Sequence, residues 1–509
     1  MKFSDLLFGA EVVSITGDAD IFGLQYNSRR VQTGDCFVAM KGETTDGNAY
    51  IDSGVGRGAF AVVTDSETEP LRDGVGWAVV KHGRRALAMM SGNLYHHPAQ
   101  TLKMVGVTGT NGKTTTAFLI ETILNAAGRK TALVGTIEYR LAGEVVPAPH
   151  TTPESLDLNR FLADGVKRGV TDAVMEVSSH ALYQERVYGV PYDVAVFTNL
   201  TRDHLDYHKT MGEYFAAKQI LFKGCGTEPP RVAVLNRDDG HGLELVQISK
   251  KLSPEISTYG LREGHFHTEE LKMGPEGSRF VMVTPKGNID IFTPLLGKVN
   301  VYNVLAAAAA AMARGCTLLQ VADAVRGLAH VPGRFQRVNA GQPFTVVVDY
   351  AHTDDALRNL TTLAEEFVKQ SGGKGRVITV FGCGGDRDKT KRPLMGQAVG
   401  DGSDFVILTS DNPRTENPLS IIYDAVQGLR TSKAEFTTEP DRKRAIALAI
   451  RLAKPGDIIL IAGKGHEKVQ IIGEQSVPFD DVKVAEKAIR AQGYGEDFAA
   501  ALGTSRSIL

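Results

Sequence analysis

Residues 108–116 read Thr-Gly-Thr-Asn-Gly-Lys-Thr-Thr-Thr. They lie between an apolar run at 104–107 and a segment with Phe118, Leu119, Ile123 and Leu124 at helical spacing. Strand, glycine-bearing turn, lysine, hydroxyl and helix in that order describe a loop that cradles phosphate. Backbone N–H groups at Gly109, Thr110, Asn111 and Gly112 can point at phosphate oxygens, and a helix start adds partial positive charge. Lys113 would reach the outer phosphates, and the hydroxyl of Thr114 or Thr115 would take a magnesium ion. The strict spacing of such loops places glycine at 107, where this chain has Val107, with Gly106 and Gly109 instead. A turn that merely caps a helix is the plainer alternative, and Gly-Lys-Thr-Thr at a strand–helix junction is a poor choice for one.

The chain of 509 residues exceeds one core, so several domains are expected. An apolar share of 42%, a charged share of 23% and a net charge of −2 fit an ordinary soluble globular protein. They give no general pull toward nucleic acid or an anionic membrane. The first residues, MKFSDLLFGAEVV, lack the pattern of a signal peptide. The most uniform apolar run, 304–313, is half what a spanning helix needs. Cys36, Cys225, Cys316 and Cys383 lie far apart without zinc-type spacing, and are expected to be reduced, buried thiols. A cytoplasmic enzyme, acting as a monomer, is the natural expectation.

Residues 1–92 read as a small α/β unit, with strands at 36–40 and 59–63. Ser28 and Arg29 could contact a phosphate or a ribose hydroxyl, or simply form a solvated polar turn. From about residue 98, strand–helix alternation suggests a mostly parallel sheet, and ligands collect at the carboxyl ends of such strands. The strand at 173–177 leads into Glu176-Val177-Ser178-Ser179-His180. The strand at 194–198 leads into Asn199-Leu200-Thr201-Arg202-Asp203-His204. Short β segments are expected across 257–294, then an alanine-rich helix opened by Asn300 and Asn303. Pro332-Gly333-Arg334 is a plausible linker. Beyond it, strands at 344–348, 376–381, 404–409 and 457–461 again end in polar residues, which describes a second doubly wound unit. The fold class is therefore α/β in three domains: a small N-terminal α/β domain (1–92), a central P-loop domain with a mostly parallel sheet (93–332) and a C-terminal Rossmann-like domain (333–509).

A nucleotide phosphate chain needs a divalent cation to offset its charge. Glu176, at a strand end near the loop, is the first candidate ligand and His204 the second. Lys218, on a probable helix, reads from the residues alone as a solvated lysine. Arg414 offers a planar fork that fits a carboxylate. Beside Asn412 and Arg387 it makes a pocket for a small zwitterion, with Asp411 or Glu467 to hold an ammonium group. A turn with a surface arginine is the plainer alternative.

Together, TGTNGKTTT, EVSSHAL at 176–182, NLTRDHLDYH at 199–208, DYAHT at 349–353 and GCGGDRDKTKRPLMG at 382–396 resemble the ATP-dependent Mur ligases of peptidoglycan synthesis. DNPRTENP at 411–418 is similar to the stretch marking the diaminopimelate-adding type. The resemblance implies domains for a UDP-linked substrate, for ATP and for the incoming amino acid. It implies that ATP phosphorylates the D-glutamate side-chain carboxylate of UDP-N-acetylmuramoyl-L-alanyl-D-glutamate, and that the amine of meso-diaminopimelate attacks the acyl phosphate. By position, Ser28 and Arg29 would meet the uridine end, and Thr151, Thr152, Ser178, Gln184 and Arg186 the muramoyl-dipeptide. Thr114, Glu176 and His204 would hold Mg2+, with Lys218 matching a lysine that the family carbamylates. Asn300, Arg334 and Asp349 would contact the nucleotide, while Arg387, Asp411, Asn412, Arg414, Gly463 and Glu467 would bind diaminopimelate. Asn27, Gln336 and Asp354 depart from the family pattern, where Asp, Glu and Pro are usual. A lysine-adding relative and a nucleotide-dependent switch protein are the rival expectations.

Overall fold

The computed structural model describes residues 1–43, 45–66, 74–252, 255–370 and 372–494. Its elements group around three main sheets. The first has five strands in the spatial order Val12–Thr16, Gly76–Val80, Ala61–Thr64, Asp35–Ala39 and Gly23–Gln25. The outermost pair is antiparallel and the rest are parallel. Asp35–Ala39 and Ala61–Thr64 are buried along their whole length, which is why they read as continuous runs rather than alternating ones. The helix Gly83–Leu94 covers this sheet through Ala86, Leu87 and Met90.

The phosphate-loop strand, Lys103–Thr108, lies inside an eight-stranded sheet between Val194–Phe197 and Asp172–Glu176. All three are parallel, and the register sets Glu176 opposite Val107 and Phe197 opposite Thr108. Both neighbours therefore end level with the loop, which brings their polar tails to it. Val232–Asn236, Glu255–Tyr259 and Thr131–Val134 continue the parallel part. Tyr139–Leu141 and Glu144–Val146 add an antiparallel edge.

The alanine-rich helix runs from Lys298 to Ala313. Ala306 through Ala311 are buried on every side, in one core with Val105, Val107 and the helix Lys113–Ala126. Of the β segments expected at 257–294, the first joins the eight-stranded sheet. The other three, His267–Gly274, Gly277–Thr284 and Gly287–Thr293, form a separate antiparallel sheet.

The last large sheet has six strands. Thr345–Asp349, Ile458–Ala462, Val377–Phe381, Phe405–Leu408 and Glu435–Thr438 are parallel, and Gln336–Val338 is antiparallel at one edge. The four strands expected here are all present, within a residue or so of their expected ends. The four cysteines are buried free thiols. Among the described residues, no helix is long and apolar enough to cross a membrane.

Candidate active-site cleft

The loop after Thr108 is held open by two glycines. Gly109 has φ 149°, and a Cβ there would lie 1.8 Å from Thr198 Oγ1. Gly112 has φ 86°, and a Cβ there would lie 2.5 Å from Asn303 Oδ1. Both φ values strain any other residue, and at Gly109 a side chain would also collide with Thr198. Gly112 caps the helix Lys113–Ala126, whose first-turn N–H groups have no intrahelical acceptors. Val107, where a glycine was expected, is a fully buried strand residue, so the turn begins only at Gly109.

Two lysines converge on this loop. Lys113 Nζ donates to the carbonyls of Gly109 (3.0 Å) and Thr110 (2.8 Å), and Lys218 Nζ donates to Gly109 at 2.8 Å. Lys218 is 1% exposed, so it is no solvated helical lysine. Burial lowers its pKa well below the ordinary value, and Lys113 pushes it further. Burial also lowers that of Lys113, against the pull of Glu176 and Asp203. An anion placed beside the two lysines would offset that burial cost and favour their charged forms.

Glu176 is fully buried. Its carboxylate accepts from Thr136 N (2.8 Å), Thr136 Oγ1 (2.9 Å) and Thr114 Oγ1 (3.0 Å). Arg334 donates to Thr114 Oγ1 at 3.0 Å and so ties the start of the C-terminal region to the loop. His204, at φ 54°, lies 3.3 Å from Asp203. Burial lowers the His204 pKa well below normal, despite Asp203. Burial raises the Asp203 pKa, but His204, Lys391 and His352 outweigh it and hold the carboxyl below its usual range.

These groups line a cleft of about 580 Å³ between the eight-stranded and six-stranded sheets. Of the residues expected to contact nucleotide or metal, Thr110 through Thr115, Glu176, His204, Asn300, Arg334 and Asp349 all line it. Gly109 and Lys218 lie directly behind the loop. Burial raises the Asp349 pKa, while its oxygens accept from Phe335 N (2.6 Å) and Ala351 N (2.7 Å).

Thr151, Thr152, Ser178 and Arg186 line one end of the same cleft. Thr152 Oγ1 donates to the Glu176 carbonyl (2.8 Å) and Arg186 to the Thr152 carbonyl (3.1 Å). Gln184 stands behind Arg186, accepting from its guanidinium at 2.6 and 2.9 Å. Ser28 and Arg29 form a short 3-10 turn on the N-terminal sheet, away from the cleft. Asn27 caps that turn, accepting from Arg29 N at 3.0 Å, as an aspartate would. Gln336 similarly accepts from Gly333 N (2.9 Å), and Asp354 begins the helix Asp354–Gln370, a place that also suits proline.

Arg387 reaches the cleft, and the remaining amino-acid candidates gather behind it. Gly384 lies between the two arginines: a Cβ there would be 3.2 Å from Arg414 Nη1 and 3.8 Å from Arg387 Cγ. Burial and the Arg387 charge lower the Arg414 pKa. A Cβ on Gly463 would lie 2.5 Å from Asp411 Oδ2. Asn412 donates to Glu467 Oε2 at 2.9 Å.

Sequence reasoning missed Lys464, which is fully buried and donates to Glu467 Oε2 (2.6 Å) and Asn412 Oδ1 (2.9 Å). Glu467 therefore already carries a cation on one oxygen. Thr136 was missed as well, although it follows the strand Thr131–Val134 much as His204 and Arg414 follow theirs. So was the contact of Asn111 with Asp355 at 3.0 Å, which nothing in the local sequence signals.

A phosphate loop, a buried carboxylate and an arginine gathered in one cleft between two α/β units suit a nucleotide-dependent ligase, and the sequence comparisons agree. The chain matches the Mur ligase family catalytic domain over residues 20–95, the Mur ligase middle domain over 107–311 and the Mur ligase glutamate ligase domain over 333–465. The chain belongs to the Mur ligase family. It is 48% identical over 476 residues to a UDP-N-acetylmuramoyl-L-alanyl-D-glutamate–2,6-diaminopimelate ligase of Solibacter usitatus, covering 93% of this chain and 94% of that one. It is 46% identical over 480 residues to the protein of the same name from Geobacillus thermodenitrificans, covering 93% and 96%. A solved structure of a ligase with that name is 37% identical, with a TM-score of 0.65 over 93% of this chain and 96% of that one.

Proposed function

We propose that this chain is an ATP-dependent amide ligase that adds meso-diaminopimelate to UDP-N-acetylmuramoyl-L-alanyl-D-glutamate, in the cytoplasm. The observation that carries the reading is the single cleft that joins the phosphate loop, Glu176 and Arg387. The diaminopimelate-adding name shared by relatives at 46–48% identity favours this amino acid over lysine.

Residues 1–92, 93–332 and 333–509 are assigned to the UDP moiety, to ATP and to the amino acid, with Ser28 and Arg29 at the uridine end. The loop N–H groups and Lys113 hold the outer phosphates. An adjoining recess of about 390 Å³, which shares Asn300 and Arg334 with the cleft, has room for the base. Thr151, Thr152, Ser178 and Arg186 hold the dipeptide, with Gln184 supporting Arg186. An oxygen of the D-glutamate side chain attacks the terminal phosphorus and ADP leaves. A neutral amine of diaminopimelate then attacks the acyl carbon, the C–O bond to phosphate breaks, and phosphate and a proton depart. Arg387, Asn412 and Arg414 orient the amino acid for that attack, with Asp411, Gly463 and Glu467 around them.

Mg2+ fits the residues present. Thr114 and Glu176 offer adjacent hard oxygens, and among the described residues no group of three or more His, Cys, Asp or Glu forms a cage. Such a set suits an ion that keeps waters and takes its other ligands from phosphate. His204, and Lys218 if it is carbamylated, complete the assignment. The ion would supply charge compensation for the phosphates.

The test is phosphate release. It should require ATP, the UDP-dipeptide and meso-diaminopimelate together, and lysine should substitute poorly. Equal turnover of lysine and diaminopimelate would defeat the amino-acid assignment. Release without the UDP-dipeptide would favour a nucleotide switch.

A further inference from the structure

We propose that Arg392 and Glu416, neither of which is assigned to any substrate, form a brace that sets the spacing of Arg387 and Arg414 and so determines selection of diaminopimelate over lysine. The inference rests on the reading of those two arginines given above.

Arg387 and Arg414 lie on different loops, one after Val377–Phe381 and one after Phe405–Leu408. The two strands are adjacent and parallel, so the sheet fixes where both loops begin, but it does not set how far apart their tips at Arg387 and Arg414 stand. Arg392 does so directly. It is 1% exposed, and its guanidinium donates to Glu416 Oε1 (2.7 Å) and Oε2 (3.2 Å) on the second loop. It also donates to the Gly384 carbonyl (3.2 Å) on the first loop and to Asp424 (2.9 Å) on the helix Pro418–Leu429. A planar, bidentate fork fixes orientation as well as distance, which an ammonium cannot do.

Glu416 completes the link from the other side. Its Oε1 accepts from Asp386 N at 2.6 Å, beside Arg387, and Lys389 lies 3.0 Å from Oε2. Asp386 in turn accepts from Thr415 N (3.1 Å) and Thr415 Oγ1 (2.8 Å), beside Arg414. Each loop thus grips the residue next to the other loop's arginine. The backbone shows what the brace resists. Asp386 (φ 53°) and Arg414 (φ 51°) both occupy the left-handed region, a strained state for residues other than glycine that persists only where the surroundings over-determine it. The loops also touch: a Cβ on Gly385 would lie 1.9 Å from the Pro413 carbonyl.

The two arginines repel each other, and a carboxylate between them relieves that repulsion. Diaminopimelate carries the additional carboxylate and lysine does not, so lysine leaves the fork unpaired. The penalty against lysine holds only while the arginines cannot move apart. Loosening the brace therefore weakens diaminopimelate binding and, at the same time, relaxes the discrimination.

The experiment compares Arg392→Met, Arg392→Lys and Glu416→Gln in the full-length protein. KM for ATP, KM for diaminopimelate and the ratio of kcat/KM for diaminopimelate to that for lysine are read for each. In Arg392→Met the diaminopimelate KM should rise and the ratio fall, each by roughly tenfold, with the ATP KM within about twofold of the parent. Arg392→Lys should recover only part of the ratio, and Glu416→Gln should shift it in the same direction as Arg392→Met. Should Arg392→Met fail to fold, Glu416→Gln alone decides, since it keeps shape and removes the charge. A ratio unchanged in the variants, or a loss spread evenly over all substrates, overturns the brace. A parent protein that does not ligate diaminopimelate overturns the functional reading instead.

Discussion

At the phosphate loop, Lys113 and Lys218 both rest on the carbonyl of Gly109, whereas behind Arg387, outside the cleft, Arg392 rests on the side chains of Glu416 and Asp424. One end holds its lysines with backbone carbonyls alone; at the other, Arg387 and Arg414 also donate to carbonyls, of Asp386 and Gly385, but the loops that carry them are joined by carboxylates. Backbone groups are present whatever the sequence, and only the glycines that allow their geometry are irreplaceable. A side-chain brace can be rebuilt by substitution. The comparison predicts that the phosphate end tolerates fewer substitutions than the side chains that space the two arginine loops.

The largest expected effect tests the first half of that contrast. Lys113→Ala should lower ATP-dependent phosphate release by about 10²–10³-fold, the cost of removing a preorganised charge. Binding of the UDP-dipeptide should stay measurable by calorimetry. Retained turnover would show that the backbone alone suffices. Next, Arg414→Ala should cost diaminopimelate ligation roughly 100-fold in kcat/KM while leaving ATP binding near the parent value. An equal loss in both would merge the two ends into one site. Gly112→Ala should destabilise the fold by about 1 kcal/mol or more through its positive φ, and should slow turnover through contact with Asn303. A thermal melt checks the first effect and phosphate release the second.

The smallest effect separates the two ends by pH. Hydrogen bonding from Arg392 lowers the Glu416 pKa from 4.5 to about 2. Its contribution to stability is therefore complete above pH 4.5 and is lost as the pH falls toward 2, because the unfolded chain binds the proton first. Glu416→Gln should flatten that part of the stability profile in denaturant titrations. An unchanged slope would mean that the carboxylate is not anchored as described.

Much of this was legible because parallel sheets put function at strand ends. Glu176, His204, Asp349 and Arg414 each follow an apolar run, and the period of those runs was readable. What escaped were contacts with no local signature. Lys464 was visible in a polar strand end, but its burial under Asn412 depends on a loop far away in sequence. Short strands such as Gln336–Val338 and Glu435–Thr438 carry too few apolar residues to stand out from turns. The solvated reading of Lys218 failed for a related reason: whether a helical lysine faces water depends on what packs above it, here the phosphate loop itself.

The alanine-rich helix Lys298–Ala313 has a consequence for synthesis of the chain. It has almost no polar surface and shares one core with the phosphate-loop strand and the following helix, made about 190 residues earlier. While the ribosome is still translating the intervening segment, that half of the core has no cover. The nascent chain must carry an exposed apolar face until Ala313 has emerged. Messages broken before that point would yield sticky fragments, and chaperones should engage this protein while the stretch between Ala126 and Ala313 is being made.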